Sequence, residues 1–328
     1  MEFDERRYRP LSTVDLFDEA FDLYKRNFVL FLTIVATVVI PVAFLTDIYA
    51  LKWANAVIAQ LSTLQASSMD PTIALNDLTE FLKEGAISLA FYIPVWTLQF
   101  VTLTIAVSAR YLGRPMTVGQ AYIEAVGRFA SGLVSTALFV FVSLLGVLFL
   151  GLAALDPDLA PIFVSIGMFF EFFIAVVVTA RYPLFMGAVV AEKLGPINAL
   201  NRSADLTKRE TGRLVWALMC LAVISIIIYS AFQGIIVLFT GGIVNSEYLT
   251  VPALTQNRFV ASQVAGDLAT LLLTPFEIIV ITILYFDLRI RKEGFDMELL
   301  ADRLGYRSVS LPEAAYAPAL TAVKRGKK

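Results

Sequence analysis

Six long apolar stretches constrain this chain more than any other feature of its sequence. A membrane-spanning helix needs about 20 predominantly apolar residues. Segments of that kind lie at residues 28–46, 86–109, 132–155, 162–179, 214–243 and 268–286. Hydrophobic residues make up 58% of the 328 residues and charged residues only 16%. A soluble globular protein with this composition could not bury all of its apolar side chains. The sequence therefore predicts an all-α, polytopic integral membrane protein with six transmembrane helices.

Lys and Arg residues are divided unevenly between the two sides of the predicted membrane. If the six segments alternate in direction, Lys52, Lys83 and Arg258 fall on one side, and the other 23 of the 26 cationic residues fall on the opposite side. Loops rich in Lys and Arg remain in the cytoplasm. We therefore expect a multi-pass protein with both termini in the cytoplasm.

Three parts of the chain share one order of features. Each begins at a proline (Pro10, Pro115 or Pro196), continues through a short amphipathic stretch and then includes two apolar segments. This order predicts three helical hairpins, each preceded by an amphipathic helix that lies in the membrane interface. The repeats would cover about residues 10–111, 115–182 and 196–289, within a single membrane domain over 1–305. Any helical hairpin with a basic end would look similar, so a chance likeness remains the alternative.

The last residues of the chain have a different composition. Residues 306–328 are rich in Pro, Ala and Lys and end in a basic cluster. This composition predicts a disordered, basic cytoplasmic tail close to anionic lipid.

Polar side chains inside the predicted spans are candidates for function, because a charge in the bilayer is costly. The candidates are Gln99, Glu171, Gln233 and Glu277. Gln99, Glu171 and Glu277 each lie about ten residues, or ~15 Å of helix rise, before the cytoplasmic end of a returning helix. They could form a proton- or cation-linked site, or they could hydrogen-bond between helices and lock the bundle together.

Cationic residues near the predicted cytoplasmic ends are candidates for contacts with lipid phosphates. These residues are Arg110, Arg181, Arg202, Lys208, Arg209, Arg213 and Arg289. The simpler interpretation is the positive-inside bias itself, which requires no ligand.

The sequence lacks the residue types that many catalytic sites need. It has no His and one Cys, Cys220, which excludes His-ligated metals, Ser-His-Asp and Cys-His pairs and an intrachain disulfide. It has no Walker A or GxGxxG sequence, and its net charge of −2 argues against general nucleic-acid binding. We predict no catalytic residues, no metal and no cofactor.

Four short segments resemble one protein family. They are Arg9-Pro-Leu-Ser, Arg110-Tyr-Leu-Gly-Arg-Pro, Glu192-Lys-Leu-Gly-Pro and the closing Leu284-Tyr-Phe-Asp-Leu-Arg-Ile-Arg-Lys-Glu-Gly-Phe-Asp. Over about residues 9–304 the chain resembles the glycerophosphoryl diester phosphodiesterase membrane domain and its stand-alone bacterial and archaeal relatives. The resemblance implies a prokaryotic plasma (inner) membrane. In fused members the phosphodiesterase activity belongs to a separate soluble barrel with catalytic histidines, so that activity does not carry over to this chain.

These observations favour a non-catalytic accessory or scaffolding protein. Its role would be to organise membrane lipids or to dock a partner protein in the membrane or the cytoplasm. The alternative is a small transporter or channel that uses Glu171 and Glu277. The sequence leaves the oligomeric state open.

Overall fold

The computed structural model describes residues 10–64, 71–145, 159–239, 256–295 and 297. Within these residues the regular structure is helical and contains no strand, as the sequence predicts. The predicted tail at 306–328 lies outside the described residues.

The described residues form nine α-helices. They are α1 (Thr13–Arg26), α2 (Phe28–Leu64), α3 (Pro71–Tyr111), α4 (Val118–Ser143), α5 (Ala160–Arg181), α6 (Phe185–Ala191), α7 (Pro196–Thr207), α8 (Thr211–Phe239) and α9 (Gln256–Glu293).

Six helical segments in the described residues are long and apolar enough to cross a membrane. They are Phe28–Thr46, Ile87–Tyr111, Val118–Ser143, Ser165–Ala191, Thr211–Leu238 and Ala261–Glu293. Their number and order agree with the sequence, which confirms the prediction of a polytopic membrane protein.

Burial differs systematically between alternate segments. The first, third and fifth segments are 17%, 22% and 17% buried over their most apolar windows, whereas the second, fourth and sixth are 56%, 50% and 61% buried. Much of the burial in the fourth segment comes from the short helix α6, in which Phe185, Met186 and Val190 are all buried. The second, fourth and sixth segments therefore supply most of the packed core, and the first, third and fifth present more apolar surface.

Two of the three amphipathic stretches form separate helices. In α1, Ser12 and Asp15 form a capping box, and Leu16, Ala20 and Leu23 are buried at the spacing of one helical face. Helix α7 begins at Pro196, which suits the first turn of a helix because proline needs no hydrogen-bond acceptor there.

The second amphipathic stretch differs from the prediction. Thr117 and Gln120 form a capping box, and the helix that starts there continues without a break from Val118 to Ser143. The expected separate interfacial helix is therefore the first part of α4. Helix α1 ends at Arg26, and α7 ends before Arg209, which has a φ of 73°, whereas no such end interrupts α4 between Val118 and Ser143.

Glycine allows α3 and α4 to approach closely. A Cβ atom at Gly132 would lie 2.7 Å from Val101 Cγ2, so a larger residue would push the two helices apart. Small residues at such positions are typical of helix packing in membranes.

The chain divides into two compact units, Leu11–Tyr285 and a smaller unit made of Met1–Pro10 and Phe286–Lys328. In the smaller unit, Gly294 ends α9 with a φ of 64°. Phe295 then stacks on Phe286 with 5.8 Å between ring centroids, and the Arg289 guanidinium lies 3.9 Å from the Phe295 centroid. The single membrane domain predicted over 1–305 stays a prediction.

Candidate functional site

An open groove between α8 and α9 is the strongest candidate site. Its volume is about 470 Å³. Its lining consists of Trp96, Ser225, Ile226, Tyr229, Ser230, Thr270, Leu273, Thr274 and Glu277. Five hydroxyl-bearing residues and one carboxyl group thus share a cavity in a part of the chain that is otherwise strongly apolar. We call it the α8–α9 groove.

Glu277 is held in this groove by a hydrogen bond between the two helices. Ser225 Oγ donates to Glu277 Oε1 at 2.6 Å. Further along the same helix pair, Gln233 Nε2 donates to the Ser262 carbonyl oxygen at 3.1 Å. Glu277 and Gln233 therefore make the interhelical contacts that the structural interpretation of the sequence expects.

Several polar residues of the groove were not identified from the sequence. Thr270, Thr274 and Glu277 recur at i, i+4 and i+7 on α9, and Ser225 and Tyr229 recur at i and i+4 on α8. This spacing places each set on one helical face. The periodicity of hydroxyl residues within an apolar span is the signal that would have identified them.

Gly266 leaves room for the side chains that border the groove. A Cβ atom at this position would lie 3.1 Å from the Tyr229 hydroxyl and 3.6 Å from Gln233 Nε2. A larger residue would therefore displace the Tyr229 hydroxyl, which lines the groove.

The other three predicted intramembrane groups, Gln99, Glu171 and Gln233, do not line the groove. Glu171 lies on the packed side of α5, at the same spacing as the buried residues Gly167 and Val178. Its Oε2 atom is buried and has no hydrogen-bond partner among the described residues, and the same holds for Gln99 Nε2. Of the three groups expected at one depth, only Glu277 belongs to the groove.

Five of the seven candidate lipid-phosphate ligands interact with the protein itself, three of them through hydrogen bonds to carbonyl or carboxylate oxygens. Arg110 donates to the Met116 carbonyl oxygen at 2.7 Å, and Arg213 donates to the Leu11 carbonyl oxygen. The Nε atom of Arg202 lies 2.9 and 2.8 Å from the two carboxylate oxygens of Glu192.

The remaining candidates near the membrane surface differ in their freedom to bind a ligand. Arg289 Nε lies 3.3 Å from Glu293 Oε2. Lys208 is exposed and also interacts within the protein. The side chains of Arg181 and Arg209 are exposed, and neither makes a hydrogen bond or ion pair to another described residue. Arg181 and Arg209 are therefore the members of the predicted set that remain available.

Glu192 is the centre of a polar contact between the end of α6, α7 and α9. Besides its pair with Arg202, it accepts a hydrogen bond of 2.5 Å from the Tyr285 hydroxyl. The Tyr285 ring is fully buried and lies against Gly187. This cluster explains why the Glu192 segment has a fixed position beside α9.

Helix α1 packs against α9 beside the groove. The rings of Phe17 and Tyr24 both lie close to that of Phe276, with centroid distances of 6.4 and 6.2 Å. The Tyr24 hydroxyl donates to the Leu272 carbonyl oxygen at 3.0 Å, and burial raises the pKa of this phenol above its usual value. Tyr24 therefore remains a donor at neutral pH.

Comparison of the chain with protein-family models, with curated proteins and with solved structures found no match. The resemblance to the glycerophosphoryl diester phosphodiesterase membrane domain stays a prediction from the quoted segments.

Proposed function

We propose that this protein is a non-catalytic accessory protein that holds a membrane lipid in the α8–α9 groove and so organises lipid for a partner in the membrane or the cytoplasm. The observation that carries the proposal is the set of hydroxyl and carboxyl groups that line a groove between two largely apolar helices. Hydroxyl and carboxyl groups that face hydrocarbon without a partner are costly. A lipid that supplies hydrogen-bond donors to the groove would remove this cost.

The position of α1 supports a groove that opens near the lipid head groups. Tyr24 contacts the Leu272 carbonyl, and Leu272 and Glu277 are separated by ~7.5 Å along α9. In the adjacent turn of α1, Asp22 and Lys25 form an ion pair of 3.1 Å, and both side chains are about half exposed. Exposed charges require water or head groups. Glu277 then lies closer to the head groups than its distance of about ten residues from the cytoplasmic end suggested.

The chemistry of the groove favours a lipid with an ammonium head group. A carboxylate accepts strong hydrogen bonds from a primary ammonium group, and nearby hydroxyl groups accept its remaining N–H bonds. Ser225 already occupies Glu277 Oε1, so a ligand would bind the other carboxylate oxygen. Leu273 and Ile226 would contact the glycerol and upper acyl part of the lipid.

Replacing Glu277 by glutamine is expected to lower the retention of phosphatidylethanolamine about tenfold, since a hydrogen bond to a charged group is lost. Glutamine keeps the size of the side chain and an oxygen that can accept from Ser225. Native mass spectrometry would count lipids bound to protein reconstituted with equal amounts of phosphatidylethanolamine and phosphatidylglycerol.

Glu171→Gln is the matched control, because Glu171 lies outside the groove. This variant should retain phosphatidylethanolamine like the unmodified protein. Equal retention by the Glu277→Gln variant and the unmodified protein would refute the proposed lipid site.

We propose that the protein lies in a prokaryotic plasma (inner) membrane, as the family resemblance implies, with both termini in the cytoplasm. The orientation is supported by the division of 23 cationic residues against 3 across the alternating spans. In a Cys220→Ala background, single cysteines at Ser12 and Ser308 should resist a membrane-impermeant thiol reagent in intact cells, whereas a cysteine at Ser68 should react. The reverse labelling pattern would overturn this topology.

A small transporter is the second candidate, and one observation favours it. Glu171 carries a buried oxygen with no hydrogen-bond partner in the described part of the chain, as a site for a transient proton or cation would. In that case the Glu171→Gln variant should lose pH-dependent flux in proteoliposomes. No flux by the unmodified protein would remove this candidate and leave the lipid site unaffected.

A further inference from the structure

A second cleft lies where the first half of α4 meets the end of α6. Its volume is about 430 Å³. Its lining consists of Ile123, Glu124, Gly127, Arg128, Ser131, Val189, Lys193 and Leu194. We call it the α4–α6 cleft; it shares no residue with the α8–α9 groove.

Arg128 has a fixed position in the α4–α6 cleft. It donates to the Val190 carbonyl oxygen, and its Nη2 atom lies 2.8 Å from Glu124 Oε1. A guanidinium group has five N–H donors, so these two bonds leave others for a ligand. The Arg128 side chain is largely buried, whereas that of Glu124 is about half exposed. The cation is therefore held by two hydrogen bonds in the lining of the cleft.

Lys193 brings a second cation to the cleft through an unusual backbone conformation. It follows the end of α6 with a φ of 56°, in the left-handed region where glycine is the usual residue. The Leu194 N–H then points back to the Ala188 carbonyl oxygen at 3.5 Å, as expected at such a helix end. The Lys193 side chain is exposed and makes no ion pair with the described residues. Glycine would adopt this backbone conformation without the steric cost that lysine has. Because Lys193 also makes no ion pair with the described residues, its presence here indicates a role for its charge.

We propose that the α4–α6 cleft binds a phosphate ester. Arg128 and Lys193 supply two positive charges against the single negative charge of Glu124, which leaves the cleft with a net positive charge. Ser131 adds a hydroxyl group that has no hydrogen-bond partner among the described side chains. A hydrogen-bonded guanidinium, an exposed ammonium and a hydroxyl group can together donate hydrogen bonds to the oxygens of a phosphate group.

The apolar part of the cleft indicates what else the ligand carries. Val189 and Leu194 line it beside the cations, and Ile123 at its edge is 77% exposed. Such walls suit the carbon part of the ester, either the glycerol of a phospholipid or that of a soluble glycerol phosphate. The phosphate chemistry is shared by both sources, so the experiment needs one arm for each.

Lys193→Gly is the decisive variant, because it removes the charge and also relieves the left-handed backbone. Binding of phosphatidic acid to the purified full-length protein should weaken about tenfold, which corresponds to one charge-assisted hydrogen bond. Glu124→Gln should strengthen binding, since it removes the carboxylate that competes for Arg128. Native mass spectrometry in a mild detergent would measure both effects.

Arg114→Ala is the matched control. Arg114 is also an exposed cation in a connection between two helices, but it does not line the cleft. This variant also removes one positive charge, and it should bind phosphatidic acid like the unmodified protein. An equal loss in the Arg114→Ala and Lys193→Gly variants, or no loss in the Lys193→Gly variant, would overturn the proposal.

The second arm adds soluble glycerol 3-phosphate as a competitor. Displacement of the lipid by glycerol 3-phosphate would identify the cleft as a site for phosphate esters in solution as well. Lipid binding that resists this competitor but still depends on Lys193 would assign the cleft to a phospholipid head group. Both results support the phosphate site, and they differ only in the source of the ester.

Discussion

Replacing Gly187 by alanine is expected to destabilise the protein by about 1–3 kcal/mol, the usual cost of overpacking a well-packed core. The new Cβ atom would lie 2.6 Å from Tyr285 Cγ and 2.8 Å from Tyr285 Cδ2. The ring cannot move aside easily, because it is fully buried and its hydroxyl is bound to Glu192 at 2.5 Å. Thermal unfolding in detergent, followed by intrinsic fluorescence, should show a lower midpoint.

Gly234→Ala is the control for this prediction. Gly234 lies within α8, and a Cβ atom there would have no neighbour within 4 Å. Alanine favours a helix over glycine by about 1 kcal/mol, so the midpoint should stay the same or rise. An unchanged midpoint in the Gly187→Ala variant would show that α6 and α9 are not as closely packed as described.

Replacing Glu192 by alanine is the second large effect that we expect, with a loss of about 1–3 kcal/mol in the free energy of unfolding. The change removes the acceptor of Arg202 Nε and that of the Tyr285 hydroxyl. Both donors would lose this acceptor, and Arg202 is only 24% exposed. The same unfolding measurement applies.

Two variants separate the parts of this effect. Tyr285→Phe removes one hydrogen bond and keeps the Glu192–Arg202 pair, so its loss should be smaller than that of Glu192→Ala. Asp22→Ala removes an exposed ion pair and should change stability by less than about 1 kcal/mol. If Glu192→Ala were as mild as Asp22→Ala, the cluster around Glu192 would not stabilise the fold.

The helices were predictable from the sequence because a single property, apolar length, determines them. The six apolar stretches and their order can be read directly from the hydropathy along the sequence. The extents were less predictable, since helices extend past the apolar part: α9 covers Gln256–Glu293, whereas the apolar stretch is 268–286. The unbroken α4 was not predictable either, because none of the three amphipathic stretches contains an internal proline, and the sequence pattern does not show which of them ends before its apolar span.

The short helix α6 has no counterpart in the sequence analysis. It spans seven residues after Tyr182-Pro183, and its apolar residues read as an extension of the fourth apolar stretch. Its separation from the fourth apolar stretch depends on tertiary contacts, such as that between Gly187 and Tyr285 of α9. The order of residues along the chain does not reveal that contact.

The candidate ligand sites were only partly predictable for a physical reason. Charge and position along the chain identify cations, but they do not reveal which acceptors lie nearby. Arg110, Arg202 and Arg213 were candidates for contacts with lipid phosphates, and in the structure they bind carbonyl or carboxylate oxygens of the protein. Glu277 was identified because a carboxyl group is conspicuous in an apolar span, whereas Thr270 and Tyr229 were not.

An experimental structure of the protein in nanodiscs that contain phosphatidylethanolamine tests the central claim most directly. Our account predicts lipid density in the α8–α9 groove, with the head-group nitrogen within hydrogen-bonding distance of Glu277 and acyl density against Leu273 and Ile226. A groove closed by its own side chains, or one that holds only acyl chains while Glu277 has no ligand, would contradict the proposed lipid-organising role.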